Sequence, residues 1–481
     1  MKLLHPATNN APLMTLTNGM HYNLYKYYHI LRYNKSHPKI LLLLCIMSQY
    51  KKSGLIRSVE NSSLYCYLRD PIHKNSVFLI ANTIIYALVG FLFWTIAARL
   101  YSVEAIGQAT AIISAGGLLV LFSSLGMSPG VVRFLAQEKH KTLLVNSALT
   151  IVAGTAFLLS ILFLSGLKFW APALRFVTES WLLTATFILF CIFNALYNLQ
   201  NSIFIAFRAA HYVFYQCIIA SVKIIFLLVM IGLSVAGIVS AVVLGAITAV
   251  LMANIFIRRI HVNYRLIPTF DTAILKNIFS FSFGNYIGDV FRLMVVFLMP
   301  LLVISVLGAE QNAYFNIAWL IAGLLFSISY AVNFSLLAET SFNSGQLRMQ
   351  VLKAAKFIFI IIVPAIILLY FLGGYLLSIF GESYAQEGLG LLRILTISSI
   401  PVAVNEIGIT ILRIHKNIKP VIVISLLNTL ITVTAGYKLL GIMGLSGIGI
   451  AWLCSSIVTM VIMLLFNIKY LYPFLPGKSV K

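Results

Sequence analysis

The sequence predicts an all-α integral membrane protein with about 12 transmembrane helices in two six-helix lobes. Three observations carry that expectation. Of 481 residues, 60% are hydrophobic and only 10% charged, with a mean hydropathy of +0.98, far from the balance of a soluble domain. Between Val77 and Asn467 the chain divides into about twelve apolar stretches of roughly 20 to 25 residues, the length that crosses about 30 Å of hydrocarbon as a helix. The connectors also alternate in charge, one set rich in Lys and Arg and the other poor in them. Inside a bilayer each span must satisfy its own backbone, so helices are expected, and the ten-residue alternation of a membrane β-barrel is absent from the sequence.

In chain order the expected spans are residues 77–98, 106–126, 143–166, 181–204, 213–233, 236–257, 279–304, 313–337, 355–379, 390–412, 420–440 and 444–467. An even number places both termini on one side. Connectors on that side hold Arg133, Lys139 and Lys141, then Arg208, then Arg258, Arg259, Arg265 and Lys276, then Arg348, Lys353 and Lys356, and finally Arg413, Lys416 and Lys419. The opposite connectors hold Glu104, Glu179, Glu310, Glu382 and Glu387. Basic loops stay cytoplasmic, so both termini are expected in the cytoplasm of a multi-pass protein of the cell membrane. The domain plan is a cytoplasmic extension over 1–74, a lobe over 75–260, a cytoplasmic linker over 261–276, a second lobe over 277–470 and a tail over 471–481.

The net charge of +22 is an orientation signal and an attraction to anionic lipid headgroups rather than a nucleic-acid footprint, since no basic–aromatic recognition module accompanies it. Residues 1–70 are basic and tyrosine-rich, and their apolar run from Ile40 to Met47 is too short to span. That stretch reads as an interfacial arm or a disordered extension. The five cysteines show no metal-ligand or paired spacing. No Walker pattern, metal cluster or nucleophile–base arrangement is present, so neither a cofactor nor a catalytic residue is expected. The longest connector opposite the termini, residues 167–180, is too short for a catalytic domain, which weakens an enzyme reading.

The chain resembles itself at an offset of 206 residues. Leu100 to Glu104, followed by Gly117-Leu118-Leu119, matches Val306 to Glu310, followed by Gly323-Leu324-Leu325. Each match falls at the turn between the first two spans of a six-helix half. Six is even, so the halves have parallel topology about an axis along the membrane normal, a plan in which substrate binds between the halves.

Ionisable residues at membrane depth are costly and are the first functional candidates. In span seven Asn285, Asp289 and Arg292 share one helix face at i, i+4 and i+7, extended by Ser282. Two readings stand: a cavity lining, or an Asp–Arg pair that neutralises itself and locks helices together. In span ten Ser399, Glu406, Thr410 and Arg413 share a face, and Glu406 is either a protonatable or cation-coupling carboxylate or a hydrogen-bonded structural one. Lys223, near the middle of span five, reads as a cationic anchor for an anionic headgroup, with snorkelling, harder from mid-span, as the alternative. Asn194, Asn198 and Asn201 repeat the i, i+4, i+7 spacing in span four, and such amides suit sugar hydroxyls or serve as interhelical glue. Arg99 and Arg393 lie near span ends, where snorkelling is expected. Gly116-Gly117 and the glycines from Gly441 to Gly449 read as close helix packing or turns rather than nucleotide cradles, and Pro129, Pro300, Pro364 and Pro401 as kinks or as prolines a membrane helix merely tolerates.

The segment from Asn75 through Phe93-Trp-Thr-Ile-Ala-Ala-Arg99-Leu-Tyr-Ser-Val-Glu104 to Gly107, with Ser124-Leu-Gly126-Met-Ser-Pro-Gly-Val-Val-Arg133-Phe, resembles the polysaccharide biosynthesis flippases. These are the O-antigen and teichoic-acid exporters of the multidrug/oligosaccharidyl-lipid/polysaccharide superfamily. The likeness covers about residues 72–470, and Asp289 and Arg292 resemble that family's Asp-Arg element at wider spacing. The resemblance implies a V-shaped, MATE-like pair of lobes that flips a polyprenyl-pyrophosphate-linked oligosaccharide to the outer leaflet, with ion coupling. It implies Lys223 and Arg292 at the pyrophosphate, Asn285, Asn194 and Asn198 at the sugars, and Asp289 or Glu406 at the coupling ion. The implied partners are the lipid-linked oligosaccharide, membrane lipids and polysaccharide polymerases or glycosyltransferases, around a monomer. A multidrug or other lipid-precursor exporter of the same superfamily is the alternative, with a membrane glycosyltransferase or ligase behind it.

Overall fold

The computed structural model describes residues 71–342, 347–415 and 417–471. The arm expected before residue 71 and the tail from 472 lie outside the described residues, as does the side chain of Asn285. The chain from Asn75 onward forms one compact unit. Among the described residues there are helices and no strands, and 12 helices are long and apolar enough to cross a membrane.

We number the spans α1 (Pro71–Leu100), α2 (Val103–Ser123), α3 (Lys141–Ser165), α4 (Trp181–Ala206), α5 (Ala210–Ala220 with Lys223–Val229), α6 (Ser234–Ile260), α7 (Thr272–Leu307), α8 (Ala309–Phe342), α9 (Leu347–Ser378), α10 (Glu382–Ile414), α11 (Ile418–Met443) and α12 (Leu445–Leu471). The 206-residue offset reappears in the helix starts, Val103 for α2 and Ala309 for α8. Both begin with an acid in the first turn, Glu104 and Glu310, where the helix dipole favours negative charge. Ser102 caps α2 by accepting from the Ala105 amide at 3.2 Å, and Ser180 caps α4 in the same way through Leu183. Gly308 (φ 90°) and Gly444 (φ 59°) take up the left-handed conformation that their short turns demand.

Two expected spans differ in detail. Span five is not one helix: it breaks at Ser221-Val222. The Ser221 hydroxyl donates to the Ile218 carbonyl at 2.5 Å and its amide serves both Cys217 and Ile218, back-bonding that bends a helix. The break seats against α6 at Gly245, where a Cβ would stand 2.8 Å from the Ala220 carbonyl and from Lys223 Cβ. The helix of span seven begins at Thr272, ahead of its membrane-length stretch Ser282–Leu307, which shortens the coil before it to residues 261–271.

That coil runs along α3 in a regular register. His261 Nε2 lies 3.1 Å from Thr142 Oγ1, Asn146 Nδ2 donates to the Arg265 carbonyl at 2.8 Å, and the Thr269 amide donates to Thr150 Oγ1 at 3.2 Å. Thr142, Asn146 and Thr150 are successive i+4 positions on one face of α3, and the Asp271 amide bonds Ser147 Oγ beside them.

Helices α2 to α6 pack on one another, as do α7 to α12, giving two six-helix lobes once α1 is assigned to the first. The lobes meet chiefly where α2 crosses α8 and α7. Asn312 at the start of α8 donates to the Gly107 carbonyl at 2.7 Å and to Thr110 Oγ1 at 3.0 Å. Deeper in, a Cβ on Gly117 would stand 2.4 Å from the Phe297 ring and one on Gly116 would stand 2.5 Å from Phe190, so the paired glycines do serve close helix packing. The first part of α7 leans on α2 and on the short helix Met127–Phe134: Gly130 faces Ile278, Gly126 faces Ser282, and Tyr286 Oη donates to the Phe122 carbonyl at 2.9 Å. From Gly288 onward α7 also packs on α11, with Ile422 against Gly288 and Thr429 donating to the Phe291 carbonyl at 2.7 Å.

Helix α1 stands at the edge of its lobe and is fastened at its ends. Asn75 Oδ1 accepts from the Ala210 amide at 3.2 Å. At the other end Arg99 donates to the Ile379 and Ser378 carbonyls at 2.9 and 3.1 Å. The snorkelling expected of Arg99 is therefore incomplete, because the guanidinium caps the last carbonyls of α9, a favourable place for a cation. Arg393 likewise donates to the Tyr370 carbonyl at 3.3 Å, with its guanidinium over that ring.

Candidate functional site

The polar residues that the sequence places at membrane depth line three cavities. The first, of about 530 Å³, lies in the second lobe among α7, α8, α10, α11 and α12, with Arg292, Tyr330, Asn405 and Glu406 in its wall. The second, of about 280 Å³, lies between the lobes and is lined by Ser128 and Asn198 from one side and Asp289 and Arg292 from the other. The third, of about 490 Å³, lies in the first lobe behind α1, with Tyr86, Asn194, Asn198 and Lys223 in its wall. Arg292 borders the first two and Asn198 the last two, so the cavities adjoin in series.

Helix periodicity puts Asp289 and Arg292 one turn apart on α7, and Glu406 and Arg413 two turns apart on α10. The packing joins these faces into one charge cluster. Arg413 Nη2 donates to Asp289 Oδ1 at 2.9 Å, Arg292 Nε lies 3.6 Å from the same oxygen, and Arg292 Nη1 lies 3.9 Å from Glu406 Oε1. Only the first is within hydrogen-bond distance. Arg292 Nε is buried without a hydrogen-bond partner, and the Tyr330 ring lies 5.9 Å from its guanidinium. Two acids and two bases give the cluster no formal net charge, which offsets part of the cost of bringing them into the membrane.

Lys223 is differently placed. It follows the break in α5, half-buried, with its ammonium 5.2 Å from the Phe93 ring and 6.0 Å from the Tyr86 ring. Those rings offer cation–π attraction, and no carboxylate pairs with Lys223 among the described residues. Lys223 and Arg292 do not share a cavity wall. Asn194 spends its amide N–H on its own helix at Phe190, whereas among the described residues no side-chain bond holds Asn198, which is exposed to two cavities. Gln200 of α4 makes interhelical bonds, buried between Gln216 of α5 and the Val250 carbonyl of α6.

The structure brings Asp289, Arg292 and Glu406 to cavity walls as well as into ion pairs and sets Lys223 on a separate wall, and it shows that Arg413, an orientation charge by its connector, pairs with Asp289. Its shared face with Glu406 was the signal of its second role. Asn405, which donates to Ser456 and Thr459 of α12 at 3.0 and 3.1 Å, carried no such signal. Among the described residues no group of His, Cys, Asp or Glu is arranged to hold a metal ion.

Comparison with known proteins places these observations in context. Residues 96–387 match the family model described as polysaccharide biosynthesis protein. No curated protein matches the sequence. Among solved structures, the lipid II flippase MurJ in an inward closed conformation is similar with a TM-score of 0.67 at 16% identity, over 82% of this chain and 87% of that one. An inward-facing multidrug resistance MATE family transporter of the MOP superfamily is similar with a TM-score of 0.61 at 14% identity, over 80% and 98%. A MOP superfamily transporter from Pyrococcus furiosus is similar with a TM-score of 0.58 at 15% identity, over 86% and 98%. At these identities the likeness is one of fold, and it covers both lobes.

Proposed function

Because this chain belongs to the polysaccharide biosynthesis protein family, we propose that it carries a polyprenyl-pyrophosphate-linked oligosaccharide across the membrane. The cargo is an O-antigen, capsule or other surface-polysaccharide precursor, moved from the cytoplasmic to the outer leaflet by alternating access of the two lobes. The observation that carries this reading is the series of adjoining cavities, with a cation that pairs with no carboxylate among the described residues at one end and a charge cluster where the other two meet. Lys223 meets the anionic headgroup from the first lobe and Arg292 from the second. Asn194 and Asn198, with Asn285 on α7, serve sugar hydroxyls, and Asp289 and Glu406 serve ion coupling.

In this reading the protein is a monomer of the cell membrane with both termini in the cytoplasm, where its basic connectors lie. It receives its cargo from glycosyltransferases and delivers it to a polymerase. Reconstitution tests the reading. Proteoliposomes bearing a fluorescent polyprenyl-diphospho-oligosaccharide are expected to expose it to an outside quencher only when the protein is present. In cells, a nonpolar deletion is expected to deplete one surface polysaccharide. If every surface polysaccharide stays intact while drug sensitivity rises, the multidrug exporter is the right reading instead.

A further inference from the structure

The three ion pairs of the charge cluster are unequal, and the inequality assigns work to a residue outside the proposed cargo contacts. Asp289 lies between two arginines. Arg413 takes it at 2.9 Å and Arg292 stands off at 3.6 Å from the same oxygen, while the other contact of Arg292, to Glu406, is 3.9 Å. A guanidinium carries five N–H donors in a planar fork, and neither contact of Arg292 is a hydrogen bond. With 27% of its side chain exposed, this guanidinium borders both the cavity between the lobes and that of the second lobe. It is a loosely held cation between two chambers.

We propose that Arg413 is a positioning residue that keeps Arg292 available to an anionic ligand group. By engaging Asp289 in a close, charge-assisted bond, Arg413 removes the one carboxylate that stands a single helical turn from Arg292 on the same face. Without Arg413, Asp289 closes on Arg292 as a hydrogen-bonded pair, and the fork that fits a phosphate or diphosphate is spent. Glu406 is the more remote partner: it belongs to another helix, stands 3.9 Å from Arg292, and faces it from the second-lobe cavity alone. The ligand class is a phosphate or diphosphate, borne by a lipid or free. The inference rests on the proposed transport of a diphosphate-linked cargo.

The test is a binding titration of full-length protein in nanodiscs with two probes, a sugar-free polyprenyl diphosphate and inorganic pyrophosphate. Arg413→Gln is expected to weaken diphosphate binding about tenfold, Arg413→Lys to keep most of it, and the double variant Asp289→Asn with Arg413→Gln to recover it. A purely structural Arg413 would lose melting temperature and binding together, so both are read in every variant. Should Arg413→Gln not fold, Asp289→Asn alone decides: equal or tighter binding supports the proposal, and weaker binding overturns it. Unaltered binding by Arg413→Gln, or a loss that the double variant does not repair, overturns this proposal while leaving the transport reading in place. If wild-type protein binds neither probe, both fall. Stronger binding of the polyprenyl form assigns a lipid source, and equal binding of the two assigns a free diphosphate.

Discussion

Asn312 Nδ2 donates to the Gly107 carbonyl at 2.7 Å and so ties the start of α8 to the start of α2, one lobe to the other. The same amide reaches Thr110 Oγ1, and the position of a Cβ on Gly107 is already taken by the Ala309 carbonyl, 1.7 Å away. The two lobes touch backbone to backbone there.

Gly107→Val is therefore expected to wedge that contact apart. Thiol labelling of cysteines introduced beside it, for example at Thr110, should rise severalfold over the same cysteine in the Gly107 background. Unchanged labelling with normal transport would show that the contact gives way without consequence. Asn312→Ala removes two buried hydrogen bonds, and the expected loss is about 1–3 kcal/mol of stability, read as a lower melting temperature in detergent.

Arg99 closes the same end from the side. Arg99→Ala is expected to release α1 from the last carbonyls of α9, raising hydrogen exchange in residues 90–100 severalfold while leaving exchange in α4 and α6 as it was. Exchange that rises everywhere, or nowhere, would assign Arg99 no specific role as a clasp.

The break in α5 depends on a missing side chain across from it. Gly245→Val must displace the Ala220 carbonyl or Lys223, and over-packing of this kind costs about 1–3 kcal/mol. Gly284→Ala on α7, where a Cβ meets nothing within 4 Å, is the matched control. The first should lower surface glycan and thermal stability together, the second neither.

Lys223→Gln keeps the side-chain length but removes the charge. Surface glycan is expected to fall about tenfold at unchanged protein level, with Lys223→Arg retaining a substantial part. Full glycan in Lys223→Gln cells would remove this cation from the mechanism.

The twelve spans were legible because hydrocarbon imposes a length and a hydropathy on each, and the repeat was legible because α2 and α8 begin with the same acid-bearing turn. The break in α5 was not. Ser221 looks like any small polar residue until its bond to Ile218 and the notch at Gly245 are seen together. Within the site, helix periodicity brought Asp289 near Arg292 and Glu406 near Arg413, but pairing between α7 and α10 depends on how two helices cross, which no local spacing encodes. A charge count that reads Arg413 as a loop residue cannot distinguish a cation facing water from one facing Asp289.

The stitching of residues 261–271 along α3 has a mechanical consequence. A connector bonded at every fourth residue supplies no slack, so the lobes are not joined by a loose cord. Any rocking of the lobes in the proposed transport cycle would act on α7, which holds both sides at once: Tyr286 and Phe297 reach the first lobe, and Gly288 and Asp289 the second. The charge cluster thus sits on the one helix that both lobes share, where the proposed movement would reach it directly.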